Sequence, residues 1–438
     1  MSPQISLLSS VFLVIASMLG SGILTTTGSI LGLVKSPEAV LLVWLIAGAH
    51  AVLGAYCYGI IVRRIPVNGG EASILRTYFS PALGEIAGWV SFIVGFAASN
   101  AASAIGFGAY LEKVNPALLH AFTSGKWAAL CAIFLVTLLH SVTGPFGIRI
   151  QTGMAALKFT MLGGLTLWGL SHAAAGSGGA EADSPPASAS FGPAWGLAIM
   201  FSMFAYLGWS AAIYSAAETR GAKRTVPRAM LAGTLIVLLL YAGVNLALLK
   251  HIPLPELAAE KAVIELLVRK LFGPDASSVF SALVSFALLS SLGASAFLGP
   301  RVLQTMLSWY RSSRPNSEPP AVQSSGVRPW VIWLQALLSM GMILSGTFEQ
   351  ILTVTGFLLG VFPILAVLGL YSPAANTPEK VPALAKFFAA PIFLSGSMLI
   401  LILGAMEKPL EMGIASAAII IIFLLRHRVR GHSPDFRT

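Results

Sequence analysis

The chain has 438 residues, of which 56% are hydrophobic and only 10% are charged. An ordinary soluble domain has about 25% charged residues, so a soluble fold of this composition would expose apolar surface on every side. The net charge of +10 lies mostly between long uncharged runs, which argues against a nucleic-acid partner and for a bilayer.

The uncharged runs predict an all-α polytopic membrane protein with about twelve transmembrane helices. A spanning helix needs roughly 20 apolar residues, and its backbone groups must be paired within the segment. An excess of Lys and Arg on one side places both termini in the cytoplasm of a bacterial-type inner (plasma) membrane. The predicted spans are 7–31, 39–62, 83–111, 127–141, 148–171, 193–216, 227–249, 276–308, 329–345, 349–371, 386–405 and 410–425.

The first predicted span is interrupted near its middle by Gly20, Ser21 and Gly22. A break in a membrane helix frees N–H groups at the start of the half-helix that follows, and the helix dipole favours an anion there. Small residues also allow close helix packing, which is the structural alternative for this motif. Taken as a functional feature, the break would bind a carboxylate.

Two ionisable side chains fall within other predicted spans, His50 in the second and Lys158 in the fifth. Lys158 lies deep in the fifth span, where an ionisable residue is a candidate functional site by default and could exchange a proton. The structural alternative is a lysine that extends to the membrane surface. His50, in the second span, is a possible proton relay, but a hydrogen bond to a neighbouring helix is the favoured interpretation.

The sixth predicted span is the second interrupted one, at residues 204–209 (Phe-Ala-Tyr-Leu-Gly-Trp). It follows a stretch rich in Ala, Gly, Ser and Pro, which predicts a flexible extracellular linker. Interrupted helices at corresponding places of two halves are typical of transporters built from inverted repeats. We therefore predict a first repeat (1–172), a linker (173–192), a second repeat (193–372) and a C-terminal helix pair with a basic tail (373–438).

The two breaks together predict a receptor for a zwitterionic amino acid. The carbonyl groups freed in the sixth span suit an ammonium group, as the N–H groups of the first span suit a carboxylate. We find no acidic residue in mid-span and no metal-ligand motif, so we predict a neutral substrate, no metal, no sodium site and no cofactor, with proton coupling possible.

Four motifs, in order along the chain, resemble those of the APC (amino acid–polyamine–organocation) superfamily. The resemblance covers about residues 5–310 and is closest to the L-type, neutral amino acid branch. It departs from the family pattern at Ile60, where members often have Glu, and at 221–222, where Gly-Ala replaces Asn-Pro. The motifs are Ser-Met-Leu-Gly-Ser-Gly-Ile at 17–23, residues 53–58 with 64–71, Gly-Ile-Arg at 147–149 with Lys158, and residues 204–209 with 226–229.

The resemblance implies a LeuT-type fold of five plus five helices, alternating access and a set of substrate-binding residues. Its carboxylate-binding residues would be Gly20, Ser21 and Gly22. The backbone of Phe204, Ala205 and Leu207 would hold the amino group. Aromatic gates or walls would be Tyr206 and Trp209, and further pocket candidates on the third span are Asn100 and Ser103.

The resemblance also implies a coupling role for Lys158. In the family a lysine of the fifth span stands in for a sodium ion and holds the first half-helix against the eighth span. Its expected neighbours here are Tyr241, Ser290 and Ser291.

Three other functions remain as alternatives to a neutral amino acid transporter working by proton coupling or exchange. An amine or polyamine transporter on the same fold would need an acid in the pocket. An ion or solute channel would need a continuous pore lining. An intramembrane enzyme would need a catalytic set of side chains, and no His-Glu-x-x-His motif occurs. The acids Glu71, Glu85 and Glu218 are predicted to pair with Arg63, Arg64 and Arg76, and a protein partner is left open.

Overall fold

The structure is a computed structural model. It describes residues 5–65, 69–114, 125–143, 147–172, 191–260, 262–312, 327–345, 348–372 and 379–431. The regular structure of these residues is helical, apart from a parallel bridge between Ile5 and Thr219. The predicted linker at 173–190 lies outside the described residues.

A helix occupies each of the twelve predicted spans, and the first span is divided in two. A π-helix, Ser91–Ala98, joins α5 to α6 within the third span. The helices of the first predicted repeat are α1 (Leu7–Met18), α2 (Ser21–Val34), α3 (Pro37–Arg64), α4 (Glu71–Tyr78), α5 (Pro81–Val90), α6 (Ser99–Val114), α7 (Gly125–Thr143) and α8 (Gly147–Ser171).

The remaining helices begin after the predicted linker. A 3-10 helix, Ala211–Glu218, follows α9 and completes the sixth span. The α-helices are α9 (Pro193–Tyr206), α10 (Ala222–His251), α11 (Leu254–Ala259), α12 (Val263–Phe272), α13 (Pro274–Ser312), α14 (Pro329–Ser345), α15 (Phe348–Leu368), α16 (Ala390–Glu407) and α17 (Pro409–Gly431).

Serine–proline pairs begin two of the spanning helices. Ser36 accepts a hydrogen bond from the Ala39 N–H at 3.2 Å, and Ser80 accepts one from the Leu83 N–H at the same distance. In both helices the proline follows at the first helical position, where its missing N–H costs nothing. These local signals fix where α3 and α5 begin.

The chain is a multi-pass membrane protein. Among the described residues, eight helical segments are long and apolar enough to cross a bilayer, and three shorter apolar helices accompany them at Gly125–Ser141, Pro329–Ser345 and Pro409–Phe423. Large apolar side chains such as Leu167, Leu239 and Leu410 are more than 70% exposed on the outside of the bundle. Such surface is stable when it faces lipid.

The two interrupted spans lie at the centre of the bundle, and a second layer covers one end of them. The sixth span is the most enclosed of the spanning segments, with 83% of its most apolar stretch buried. At one end, α11 packs on α2, and the Tyr110 hydroxyl donates to the Leu24 carbonyl at 3.0 Å. At the opposite end, called here the Ile5 end, the Ile5 N–H donates to the Glu218 carbonyl and the Arg220 N–H donates to the Ile5 carbonyl, both at 3.0 Å.

Candidate substrate site

The predicted break in the first span is present, between Met18 and Ser21. Leu19 has φ −70° and ψ 72°, and the Gly20 N–H donates to the Met18 carbonyl at 2.7 Å. This three-residue hydrogen bond is an inverse γ-turn. It ends the helical ladder and leaves the last carbonyl groups of α1 without helical partners.

Lys158 satisfies two of these carbonyl groups from α8. Its ammonium donates to the Ala16 carbonyl at 3.2 Å, to the Leu19 carbonyl, and to the Ser291 hydroxyl at 2.8 Å. An ammonium has three donors, and all three are used. The residue is only 4% exposed, so it does not extend to the membrane surface.

Tyr241 and Ser291 complete the bonding of the first break. The Ser291 hydroxyl donates to the Leu19 carbonyl at 2.8 Å. The Tyr241 hydroxyl lies 2.6 Å from the Met18 carbonyl and 3.1 Å from the Ala205 carbonyl, so these two acceptors share its single hydrogen. Tyr241 thereby connects the two breaks. Ser290, the other expected neighbour of Lys158, is fully buried.

The opposite side of the first break offers donors. Gly20 is the N-cap of α2 and supplies no side-chain hydrogen bond. The first N–H groups of α2, from Ser21 onward, therefore lack intrahelical partners. Gly20, Ser21 and Gly22 all line the central cavity. Free N–H groups at a helix N-terminus form an anion-binding site.

The predicted break in the sixth span is also present and depends on Gly208. The helix α9 ends at Tyr206, and the Leu207 N–H turns back to the Phe204 carbonyl at 3.0 Å. Gly208 has φ +109°, and a Cβ there would lie 2.6 Å from the Cβ of Ser17. Both the backbone angle and the close approach to α1 exclude a side chain at this position.

The two breaks pack directly against each other. A Cβ added to Gly22 would come within 2.5 Å of the Ala205 Cα. The N–H groups of α2 and the carbonyl groups of the sixth-span break therefore meet at one place. This is the arrangement that binding both ends of a zwitterion needs.

A cavity of about 110 Å³ lies where the breaks cross, which is room for several water-sized groups. Gly20, Ser21, Gly22, Phe204, Ala205, Leu207, Trp209 and Ser103, all predicted substrate residues, line it. Ser291 of the predicted coupling set lines it too. The other lining residues are Ser17, Met18, Glu71, Ser91, Gly95, Phe96, Ser99, Gly208, Ser210, Ala211, Tyr214, Ser295, Leu298, Leu359, Phe362 and Pro363.

Two predicted pocket residues, Tyr206 and Asn100, are not part of this lining. Tyr206 is the residue after Ala205 on α9, and its hydroxyl donates to the Trp44 carbonyl of α3 at 3.2 Å. Its ring packs against Trp44, with centroids 6.0 Å apart. Ser99 and Ser103 are four residues apart and share the cavity face of α6, which turns Asn100 to another face.

Two contributions to the cavity were not predicted from the sequence: that of the third span before residue 99, and that of Glu71. Ser91, Gly95 and Phe96 reach the cavity from the π-helix, a feature that is frequent at functional sites. The sequence carries no signal for this π-helix. The exact set of lining residues on this span could not be predicted for that reason.

Glu71 is a buried acid in the cavity lining. Its carboxylate accepts hydrogen bonds from the Tyr58 hydroxyl at 3.2 Å and from the Tyr214 hydroxyl. Burial raises the pKa of Glu71, and the hydrogen bonds to its carboxylate oppose this effect. The prediction that Glu71 pairs with an arginine is therefore wrong, and its partners are the hydroxyl groups of Tyr58 and Tyr214.

The other predicted acid–base contacts hold in part. Arg76 and Glu85 form an ion pair at 3.9 Å, as expected. Glu218 pairs with Arg301 of α13 at 2.8 Å instead of a second-span or fourth-helix arginine. His50 has the structural partner that was favoured for it, because its Nε2 lies 2.8 Å from the Ser397 hydroxyl of α16. Within the described residues, no group of His, Cys, Asp and Glu could hold a metal ion.

Comparison with known proteins agrees with this architecture. The sequence model of the family described as "Amino acid permease" matches residues 5–309. The serine/threonine exchanger SteT of Bacillus subtilis is 25% identical over 378 residues, covering 84% of this chain and 82% of that protein. The human cystine/glutamate transporter is 24% identical over 424 residues, covering 94% and 82%.

A third relative, the b(0,+)-type amino acid transporter 1 of Mus musculus, is 26% identical over 308 residues. That match covers 68% of this chain and 62% of the mouse protein, so the chain spans less than two thirds of this relative. The family consists of transporters and not of enzymes, and it implies the LeuT fold. The resemblance inferred from the motifs is confirmed: the chain belongs to the amino acid permease family of the APC superfamily.

Proposed function

We propose that the protein is a secondary active transporter of neutral L-amino acids that works by alternating access. The crossing of the two helix breaks in one cavity is the observation that carries this proposal. The free N–H groups of α2 would bind the substrate carboxylate, and the carbonyl groups of residues 204–207 would bind its ammonium group.

The walls of the cavity support an apolar substrate side chain. Phe96, Trp209, Leu298, Leu359 and Phe362 surround the crossing point. Apolar walls with a few convergent polar groups are typical of small-molecule sites. A neutral side chain of moderate size would lose its hydration shell against these walls at little cost.

Lys158 has the coupling role in this proposal. It holds the end of α1 to Ser291 of α13, so release of its ammonium would free the first half-helix to move. The Bacillus subtilis relative is a serine/threonine exchanger, which makes exchange of one amino acid for another the favoured mode. Proton-coupled uptake is the other mode.

The membrane placement belongs to the same proposal. Both termini would lie in the cytoplasm of a bacterial-type inner membrane, with the Ile5 end of the bundle facing inward. The domain division at residues 172, 192 and 372 follows the same five-plus-five scheme.

One observation favours a second candidate, transport of amines or of cationic amino acids. Such a substrate needs an acid in the pocket, and Glu71 lines the cavity. An ionised Glu71 could pair with a cation. Burial raises the pKa of Glu71 and favours its neutral form against the opposing effect of the hydroxyl donors, so this candidate ranks second.

The first experiment is radiolabelled leucine uptake into proteoliposomes that contain the purified protein. Vesicles preloaded with unlabelled leucine are compared with empty vesicles at equal pH on both sides. Strong stimulation by preloading indicates exchange, and uptake into empty vesicles that grows with an inward proton gradient indicates symport.

Competition distinguishes the two substrate classes. Excess unlabelled alanine, serine, lysine or a polyamine is added to the same assay. Competition by neutral amino acids alone supports the first candidate. Competition by lysine or polyamine that disappears in Glu71→Gln supports the second, and absence of uptake with every substrate contradicts both.

A further inference from the structure

A second cavity, of about 320 Å³, lies at the Ile5 end between α3 and α10. Four cations and one acid line it: Arg63, Lys223, Arg224, Arg228 and Glu379. It is separate from the substrate cavity and shares no lining residue with it. The helices that carry it pack closely, with Gly59 of α3 against Pro227 of α10.

The four cations of this cavity have no anionic partner within the part of the chain that the structure describes. Neither Arg63 nor the three α10 cations form a salt bridge there, and Glu379 does not pair with them. Other cations of the protein are paired, for example Arg301 with Glu218 and Lys270 with Glu256. Four like charges that converge on one concave surface repel one another, and an anion in the cavity would relieve this repulsion.

The charges also oppose the helix that carries them. Lys223, Arg224 and Arg228 lie in the first two turns of α10, whose N-cap, Gly221, makes no side-chain hydrogen bond. A helix N-terminus favours negative charge, and like charges four residues apart, such as Arg224 and Arg228, are unfavourable. A bound anion would offset both effects.

The position of the cavity selects the source of the anion. Arg63 lies in the last turn of α3 and Lys223 in the first turn of α10, so the cavity is at the level of lipid headgroups. From Arg228, an exposed apolar stripe runs along α10 toward the bilayer centre through Ala232, Leu235 and Leu239. An acyl chain can lie on such a stripe while its phosphate occupies the cavity.

We propose that this cavity binds the headgroup phosphate of an anionic phospholipid, whose acyl chain follows the exposed stripe of α10. Basic pockets between transmembrane helices on the cytoplasmic side bind such headgroups in other membrane proteins. The bound lipid would neutralise the first turns of α10 and hold α10 to α3. The inference is independent of the transported substrate.

The test compares Arg224→Gln/Arg228→Gln with a matched double variant, Arg328→Gln/Lys386→Gln. The control residues are exposed cations at the same end of the bundle and do not line the cavity. Binding of dioctanoyl phosphatidylglycerol, dioctanoyl phosphatidylcholine and inorganic phosphate to the intact detergent-purified protein is titrated by native mass spectrometry. Thermal unfolding with each ligand is recorded in parallel.

We expect phosphatidylglycerol to bind the wild-type protein in preference to phosphatidylcholine and to raise its melting temperature. Each juxtamembrane cation contributes about fivefold to such binding, so the cavity variant should bind about 30-fold more weakly. The control variant should remain within about twofold of wild type. Without added lipid, the control variant should unfold like the wild type because its two side chains are exposed. The cavity variant should be at least as stable as the wild type, because it loses two charges that repel each other.

Three results would overturn the proposal. One is equal loss of binding in the cavity and control variants. Another is equal binding of phosphatidylcholine and phosphatidylglycerol by the wild-type protein. The third is inorganic phosphate that binds as tightly as phosphatidylglycerol, which would assign the cavity to a soluble phosphate.

Discussion

The two helix breaks at the centre of the protein are held in different ways. In the first span, side chains from three other helices bind the freed carbonyl groups: Lys158 from α8, Ser291 from α13 and Tyr241 from α10. In the sixth span, the backbone forms the turn itself, with Gly208 at φ +109°. The first break can therefore be released by moving or deprotonating a side chain, whereas the turn of the second break depends on the backbone angle of Gly208. This difference makes the side-chain contacts of the first half-helix the better candidate for the step that starts the movement.

The largest expected effect is from Lys158→Ala. It leaves the Ala16 carbonyl buried without its donor, at a cost of about 1–3 kcal/mol, and removes one of the two donors to the Leu19 carbonyl. We expect exchange to fall by roughly 100-fold or more, while the protein still elutes as a folded particle in detergent. Lys126→Ala, which removes an exposed lysine, is the control. Wild-type uptake by Lys158→Ala would refute the coupling role.

Glycine substitutions test the contrast between the breaks most directly. Gly208→Ala forces a side chain into a positive-φ position against Ser17, so we expect about 2 kcal/mol or more of destabilisation. In Gly20→Ala the new Cβ would meet nothing closer than 3.9 Å, and the melting temperature should change little. Equal thermal stability of the two variants would show that the sixth-span break does not depend on its glycine.

A smaller effect is expected where the two breaks are joined. Tyr241→Phe removes the hydroxyl hydrogen shared by the Met18 and Ala205 carbonyl groups. We expect about 1–2 kcal/mol of destabilisation and slower uptake. Tyr110→Phe removes a similar bond, to the Leu24 carbonyl, between two residues that do not line the cavity. The Tyr110→Phe variant should be destabilised to a similar degree but should lose less transport. Equal loss of transport in the two variants would contradict a special role for Tyr241.

The smallest expected effect concerns Glu71, which binds the second half of the sixth span through Tyr214. Because burial raises the pKa of Glu71 above its unfolded value, the folded state favours the protonated form. Its contribution to stability is then complete at low pH and is lost as the pH rises through the folded pKa.

Glu71→Gln should therefore flatten the dependence of the melting temperature on pH relative to wild type. The measurement is a melting series from acid to neutral pH. Glu112→Gln, at an exposed site, should leave the slope unchanged. A steeper slope in Glu71→Gln would mean that the carboxylate is stabilised in its charged form.

Much of this arrangement could be predicted from sequence because the bilayer imposes simple rules. Long uncharged runs must be helices, and glycines in mid-span marked both breaks. The contact of Lys158 with Ser291 followed from the family motif. It was harder to predict which side chains of a helix line the cavity, because Tyr206 and Asn100 are next to cavity-lining residues and yet do not line it themselves. The π-helix in the third span changes which of the residues from Ser91 to Phe96 face the cavity, and no pattern in the sequence predicts this π-helix. The burial of Glu71 depends on Tyr58 and Tyr214, which are distant in sequence.

The short parallel bridge between Ile5 and Thr219 has a consequence for spectroscopy. It joins the segment just before α1 to the end of the Ala211–Glu218 helix by two backbone hydrogen bonds. The two half-helices are thus expected to swing as a single rigid body. A pair of spin labels at positions 5 and 219 should report a constant separation through the transport cycle. A pair at positions 5 and 328 should report two separations, whose populations change when amino acid is added.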